Sequence, residues 1–234
     1  MLLASCDGED AGVRVCAAAS LSEALPEVLR AVGAENTTVT FGASSALARQ
    51  IRLGAPCDLF ISADASWPET LSSEDLTRGN AVSLATNTLV VAVPHGAPVP
   101  TSLASLMEAS YARIAVAAEE VPLGRATHHA LAQAHLLESL SPRFVIGADA
   151  NATRAWVARG EAQAGFVYAT DVTQAPALAH AFDVPASLYE PLVVTTIVLR
   201  GAHANTETVR DALTSEQARR VLRAHGFRVD ASVE

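Results

Sequence analysis

No stretch of this chain is rich in Lys or Arg, and its formal net charge is −9. Binding to nucleic acid draws on a basic patch or stripe, so the electrostatic footprint is missing and nucleic acid is not an expected partner. No apolar run reaches the roughly 18 residues of a membrane-spanning helix, which leaves only a terminus for attachment to a bilayer. There are three cysteines, Cys6, Cys16 and Cys57, which make neither a disulfide framework nor a metal-site spacing. Cys16 falls inside an expected strand and Cys57 just before another, so both are read as small buried hydrophobes without a bridge. Aromatics are few, while half of the residues are hydrophobic, the composition of an ordered globular protein rich in Ala, Val and Leu. No G-x-S-x-G elbow and no Ser, His and Asp pattern stands out, so an enzyme is not expected. His128, His129 and His135 lie on a polar helical stretch with no third-ligand motif and are read as a solvated face.

What is present is an alternation. Strands are expected at Val13–Ala19, Thr37–Gly42 and Asp58–Ser62, with helices at Leu21–Val32 and Ser45–Leu53 between and after the first two. A strand at Leu89–Val93 runs into the Pro and Gly-rich segment PHGAPVP. A second set follows: strands at Ile114–Ala118, Phe144–Ile146 and Ala164–Tyr168, helices at Arg125–Leu137 and Asn151–Arg159. Leu192–Leu199 is again a strand, and helices at Thr206–Leu213 and Ser215–His225 close the chain. Strand and helix repeating at this interval point to parallel βαβ units in an α/β fold. At 234 residues the chain can build two such lobes, each with its own core. The expected layout places 13–90 with 190–234 in one lobe and 91–189 in a second, with crossings near 88–94 and 188–196 and a ligand cleft between the lobes. Residues 1–12 are a leader.

Several turn or small polar residues stand at expected helix starts: Ser20 in AAASLSEAL, Ser44 in FGASSALARQI, the VPLGR turn at 121–125 and GADAN at 147–151. Helix N-termini present unpaired N–H groups and about half a positive charge each, so three or four converging could offset about two negative charges without any Lys or Arg. With Tyr168 in GFVYATD, they look like parts of a neutral pocket for a doubly charged oxyanion. Each residue also has a purely structural reading. Ser20 and Glu23 spell a capping box, Ser44 or Ser45 could cap the next helix, Pro122 suits a first helical turn, and Tyr168 could be a half-buried aromatic.

From Val13 onward the chain resembles the bacterial molybdate-binding proteins of molybdate ABC importers. The resemblance rests on AAASL, SSALARQIRLGAPCDLFISAD, the VP-x-G turn and RGEAQAGFVYATD, in that order and at the family's spacing. It implies a two-lobed periplasmic-binding-protein fold of the second type that holds molybdate or tungstate tetrahedrally. The contacts it implies are Ser20 and Ser44 through hydroxyl and N–H, Leu123 and Ala150 through backbone N–H, and Tyr168 through its hydroxyl. All five would meet oxygens of the anion; none would be a direct ligand of the metal. It further implies no cofactor, a monomer in the periplasm, and a membrane permease as partner. The sequence departs from the family at Leu123, where a small residue is usual, and at Ala150-Asn151, where Val-Arg is common. Asp64 and Asp171, beside the motifs, are expected to turn away from a dianion toward backbone donors or the hinge. The alternatives are a binding protein for another tetrahedral oxyanion such as sulfate, or a cytoplasmic oxyanion-sensing effector domain. The latter would need a helix-turn-helix that residues 1–12 do not spell.

The leader itself carries one pattern. Leu3-Ala4-Ser5-Cys6 fits the lipobox of a bacterial lipoprotein, which makes Cys6 a lipidation candidate, although the basic start and apolar stretch of a working signal are missing. A remnant of such a signal is the reading adopted, against a short disordered leader.

Overall fold

A computed structural model describes residues 12–229; Cys6 and the leader pattern lie outside them. In chain order the strands are β1 (Val13–Ala18), β2 (Thr37–Gly42), β3 (Leu59–Ser62), β4 (Thr77–Asn87), β5 (Leu89–Pro94), β6 (Ile114–Ala117), β7 (Phe144–Gly147), β8 (Ala164–Tyr168), β9 (Leu178–Asp183) and β10 (Leu192–Leu199). The helices are α1 (Ala24–Ala31), α2 (Ser44–Arg52), α3 (Ser66–Ser73), α4 (Pro122–Gln133), α5 (Leu137–Leu140), α6 (Ala150–Ala158), α7 (Ala169–Gln174), α8 (Thr206–Leu213) and α9 (Glu216–Ala224).

The strands form two five-stranded sheets of the same design. The first has the order β2-β1-β3-β10-β4 and the second β7-β6-β8-β5-β9. In each, three strands run parallel and a fourth, β10 or β5, is antiparallel to both of its neighbours. The central strands read as apolar runs because both of their faces are covered: β6 (IAVA) is buried throughout, as is LVVAV of β5. Edge strand β2 alternates half-buried and exposed residues along TTVTF. The chain passes from the first sheet to the second at Thr88 and returns over 184–191. One core cluster takes residues from both sheets, among them Val15, Leu59 and Ile61 from the first and Leu89, Val116 and Phe166 from the second.

Parallel order puts the carboxyl ends of β1, β2 and β3 along one edge of the first sheet, and those of β6, β7 and β8 along one edge of the second. Every one of these strands leads into a helical start: Ala18 into a 3-10 turn at Ala19–Leu21, Gly42 into α2, Ser62 into α3, Ala117 into α4, Gly147 into α6 and Tyr168 into α7. Ligands of open α/β sheets bind beyond such ends.

Three expectations need correction here. Cys16 and Cys57 are joined in a disulfide, with Cα atoms 6.1 Å apart. β1 and β3 are neighbours in register Val15↔Leu59, which brings the two cysteines together; a separation of 41 residues gives no hint of that in the sequence. The Ser20 capping box does not form. α1 starts later, its cap position is Glu23 with no side-chain cap bond, and the Glu23 carboxylate accepts from Arg154 instead. His128 is not on a solvated face: its ring packs against Phe144 with centroids 5.8 Å apart, and its Nε2 is buried without a partner.

Candidate functional site

Ser20, Ser44, Leu123, Ala150 and Tyr168 are all buried, at 0 to 6% exposure, and each stands at one of the strand-to-helix junctions. Ser44 opens α2. The preceding Ala43 offers no side-chain cap, and the first intrahelical bond runs from Leu47 N–H to Ala43, so the N–H groups of Ser44, Ser45 and Ala46 have no partner within the helix. The Ser44 hydroxyl is neither a cap nor idle: it accepts the N–H of Ala63 at 3.1 Å, which leaves its proton free to donate. Ser20 sits in the 3-10 turn after β1, and its hydroxyl makes no hydrogen bond among the described residues.

In the second lobe, α4 begins at Pro122, so the VPLGR segment forms a helical first turn rather than a turn ahead of the helix. Its cap residue Val121 makes no side-chain bond, and the ladder starts from Arg125 N–H; the N–H groups of Leu123 and Gly124 are thereby unspent. The Leu123 side chain is fully buried in the main core cluster. At α6 the Asp149 carboxylate accepts from Ala152 N–H at 2.8 Å, which caps the third N–H and leaves those of Ala150 and Asn151. Tyr168 ends β8, with its own N–H given to the Asp171 carboxylate at 2.9 Å.

Two sets of contacts bridge the lobes beside these residues, one next to Ser20 and Ala150 and one next to Ser44 and Leu123; Tyr168 takes part in neither, and no hydrogen bond joins any two of the five. Asn151, next to Ala150, donates through Nδ2 to the Ala19 carbonyl and to the Ser22 hydroxyl, both at 3.2 Å, and so holds the start of α6 against the Ser20 turn. Beside it Arg154 of α6 donates to Glu23 at 2.7 Å. On the other side Arg125, two residues after Leu123, reaches Asp64 and Ser66 of the first lobe, next to the Ala63 that bonds Ser44. Sequence reasoning marks Glu23 and Asp64 but not their pairing with Arg154 and Arg125, nor Ser66 as a partner, because residues 59 to 131 positions away carry no local signal. Asn151 is marked in the sequence as a helix start and as a departure from the family, not as a contact between lobes.

Electrostatics favours donors over acceptors here. Burial pushes the Tyr168 phenol well above its ordinary range, helped by the charges of Asp64 and Asp171 and opposed by Arg125, so it stays protonated. Burial also lifts Asp171 to about 7, against the Tyr168 N–H and Arg154, which pull it down. Asp64 is held among Ser62, Ser66, the Trp67 N–H and Arg125. A cavity of about 400 Å³ between the lobes, lined by Asp64, Ser66, Pro122, Arg125 and Glu190 among others, takes none of the five residues into its wall. Among the described residues no cluster of His, Cys, Asp or Glu could hold a metal ion.

Two mixed sheets with matching order, joined by two crossings and facing each other across buried helix N-termini, define a two-lobed binding protein. Residues 13–228 match the bacterial extracellular solute-binding proteins, and the chain belongs to that family. It is 32% identical to the molybdate-binding protein ModA of Haemophilus influenzae, over 93% of this chain and 90% of that one. The substrate-binding domain of a putative molybdenum ABC transporter from Clostridium difficile superposes with TM-score 0.72 at 28% identity, covering 94% of this chain and 99% of that one. The periplasmic molybdate-binding protein of Azotobacter vinelandii shares the fold at TM-score 0.84 and 24% identity, over 93% and 99% of the two chains.

Proposed function

We propose that this chain is the substrate-binding component of an ABC importer, which captures molybdate, and tungstate with it, between its lobes and hands it to a membrane permease. The observation that carries this reading is the donor set: buried hydroxyls and uncapped helix starts at facing sheet edges, with Arg125 and Arg154 both engaged by carboxylates. Relatives named for molybdate binding support the choice of cargo.

Ser20 and Ser44 contribute hydroxyl and N–H groups from the first lobe, Leu123 and Ala150 backbone N–H groups, and Tyr168 its phenol from the second. All meet oxygens of the anion, and no cofactor takes part. Molybdate at neutral pH only accepts hydrogen bonds, so it satisfies a ring of donors completely. Phosphate retains a proton near neutral pH, and burying that donor without an acceptor costs on the order of 1–3 kcal/mol. Sulfate matches in charge and is smaller, so cavity size is what rejects it; tungstate nearly matches molybdate. Closure of the lobes on the anion is a hinge motion about the two crossings. The site of action is the periplasm, where a bridge such as Cys16–Cys57 persists, and the anchor is a lipidated Cys6. The working unit is a monomer.

Thermal unfolding of the anion-stripped chain against molybdate, tungstate, sulfate and phosphate tests this. A ligand at a hundred times its dissociation constant adds about 2.7 kcal/mol, so molybdate and tungstate should raise the transition and the other two should not. A shift with sulfate alone, or with none of the four, sinks the molybdate reading.

A further inference from the structure

Arg125 is placed where anion capture does not require it. From α4 in the second lobe its Nη1 donates to the Ser66 hydroxyl at 2.7 Å, and its Nη2 lies 3.3 Å from Asp64 Oδ2. Its guanidinium stands 5.7 Å from the centre of the Trp67 ring. All three partners belong to the segment that links β3 to α3 and to the first turn of α3, in the first lobe. One cation thus grips the opposite lobe by an ion pair, a hydrogen bond and an aromatic face. It does so from the same helical turn that presents the Leu123 N–H.

We propose that Arg125 is an interlobe latch, a positioning residue that sets how long the lobes stay shut on the anion without touching the anion. The cargo in this statement rests on the oxyanion reading above. Rotation about the crossings carries α4 away from α3, so all three contacts exist only with the lobes closed. Interactions formed on closure slow dissociation, while encounter with the open cleft is unaffected. Asp64 neutralises the guanidinium, so the latch adds little net field at the pocket and does not discriminate between dianions of equal charge. The pair is partly exposed, at 42% for Arg125 and 15% for Asp64, and salt therefore loosens it.

The chain holds two tryptophans, and they separate the question. Trp156 stacks with Arg159, which caps the C-terminal end of the same helix in the same lobe, at 5.5 Å and is indifferent to opening. In a Trp156→Phe background, Trp67 emission reports whether Arg125 is in place. Stopped-flow fluorescence with molybdate should show dissociation faster by on the order of tenfold in Arg125→Gln, with association within twofold of the parent. Arg125→Lys should recover part of the loss, and the order of preference among the four anions should not move. Added salt should speed release more in the parent than in Arg125→Gln, which keeps only the Arg154–Glu23 pair across the lobes. An unchanged dissociation rate in Arg125→Gln, or an altered order among anions, overturns the latch. If the parent binds none of the four anions, the oxyanion reading fails, and the latch is judged on the anion-free chains: Trp67 emission that differs between parent and Arg125→Gln supports it, and identical emission overturns it.

Discussion

Ser44 serves the fold with its lone pair, which accepts the Ala63 N–H, and in the proposed pocket its proton goes to the anion. Replacing it by Ala removes the proposed donor to the anion and leaves the Ala63 N–H without its acceptor. Binding of molybdate by Ser44→Ala, measured by calorimetry, should weaken more than tenfold, consistent with about 1.5–3 kcal/mol for a hydrogen bond to a charged group; an unchanged affinity would mean that the pocket lies elsewhere. Asp171 predicts a pH dependence whose sign follows from burial. The folded chain keeps this proton up to about 7, whereas an unfolded carboxyl releases it near 4. Stability from this group is therefore complete below about pH 4 and is lost as pH rises toward 7. Asp58 runs the other way. Its hydrogen bonds from Arg14 hold it at about 2, so its contribution is present above about pH 4 and fades as pH falls through 2. Denaturant midpoints between pH 4 and 8 should decline less steeply in Asp171→Asn than in the parent; parallel curves would refute the assignment.

At the scale of elements, the start of α4 is where backbone meets backbone. A Cβ on Gly124 would stand 2.0 Å from the Ala118 carbonyl oxygen and 2.5 Å from that of Ala117, so the helix seats against the end of β6 only because this residue has no side chain. Gly124→Ala should cost about 1–3 kcal/mol in a denaturant melt and weaken anion binding as the Leu123 N–H shifts; a variant as stable as the parent would show that the turn has room. Much of this architecture is legible in the sequence. Strands β1, β2, β3, β5, β6, β7, β8 and β10 and helices α1, α2, α4, α6, α8 and α9 fall within a few residues of where apolar runs and turn residues put them, and the central strands are the plainest because buried strands are short and uniformly apolar. What is not legible is as informative. β4 and β9 are edge strands: TRGNAVSLATN mixes exposed Arg78 and Asn80 with Gly79 at φ 71°, and LAHAFD has no clean alternation, so neither shows the period of a strand. α3 lies in the same unassigned stretch. The hydroxyls and turns of the candidate site can be found in the sequence because each marks a local junction. Arg125, Asn151 and Arg154 cannot, since what they do depends on a lobe far away in the chain.

For the molecule as a whole, the Cys16–Cys57 bridge lies within one lobe and leaves the motion between lobes free. Closing a loop of this length removes entropy from the unfolded chain worth about 3–4 kcal/mol. Calorimetry of the reduced chain, or of a Cys16→Ala, Cys57→Ala variant, should show a lowered transition. The dissociation constant for molybdate should stay within about twofold, because the bridge does not span the cleft. A reduced chain that melts unchanged would mean the bridge adds no stability.

The two sheets differ in one respect that their matching strand order conceals. Every strand of the second comes from one uninterrupted stretch, β5 to β9, whereas the first takes β1 to β4 from the beginning of the chain and β10 from near its end. β10 is an inner strand, bonded on one side to β3 and on the other to β4. A chain emerging from its N-terminus can thus complete the second sheet while the first still has a gap between β3 and β4. The wall that holds Ser20 and Ser44 is begun first and finished last, and no shortened product lacking β10 could have both sides of the cleft.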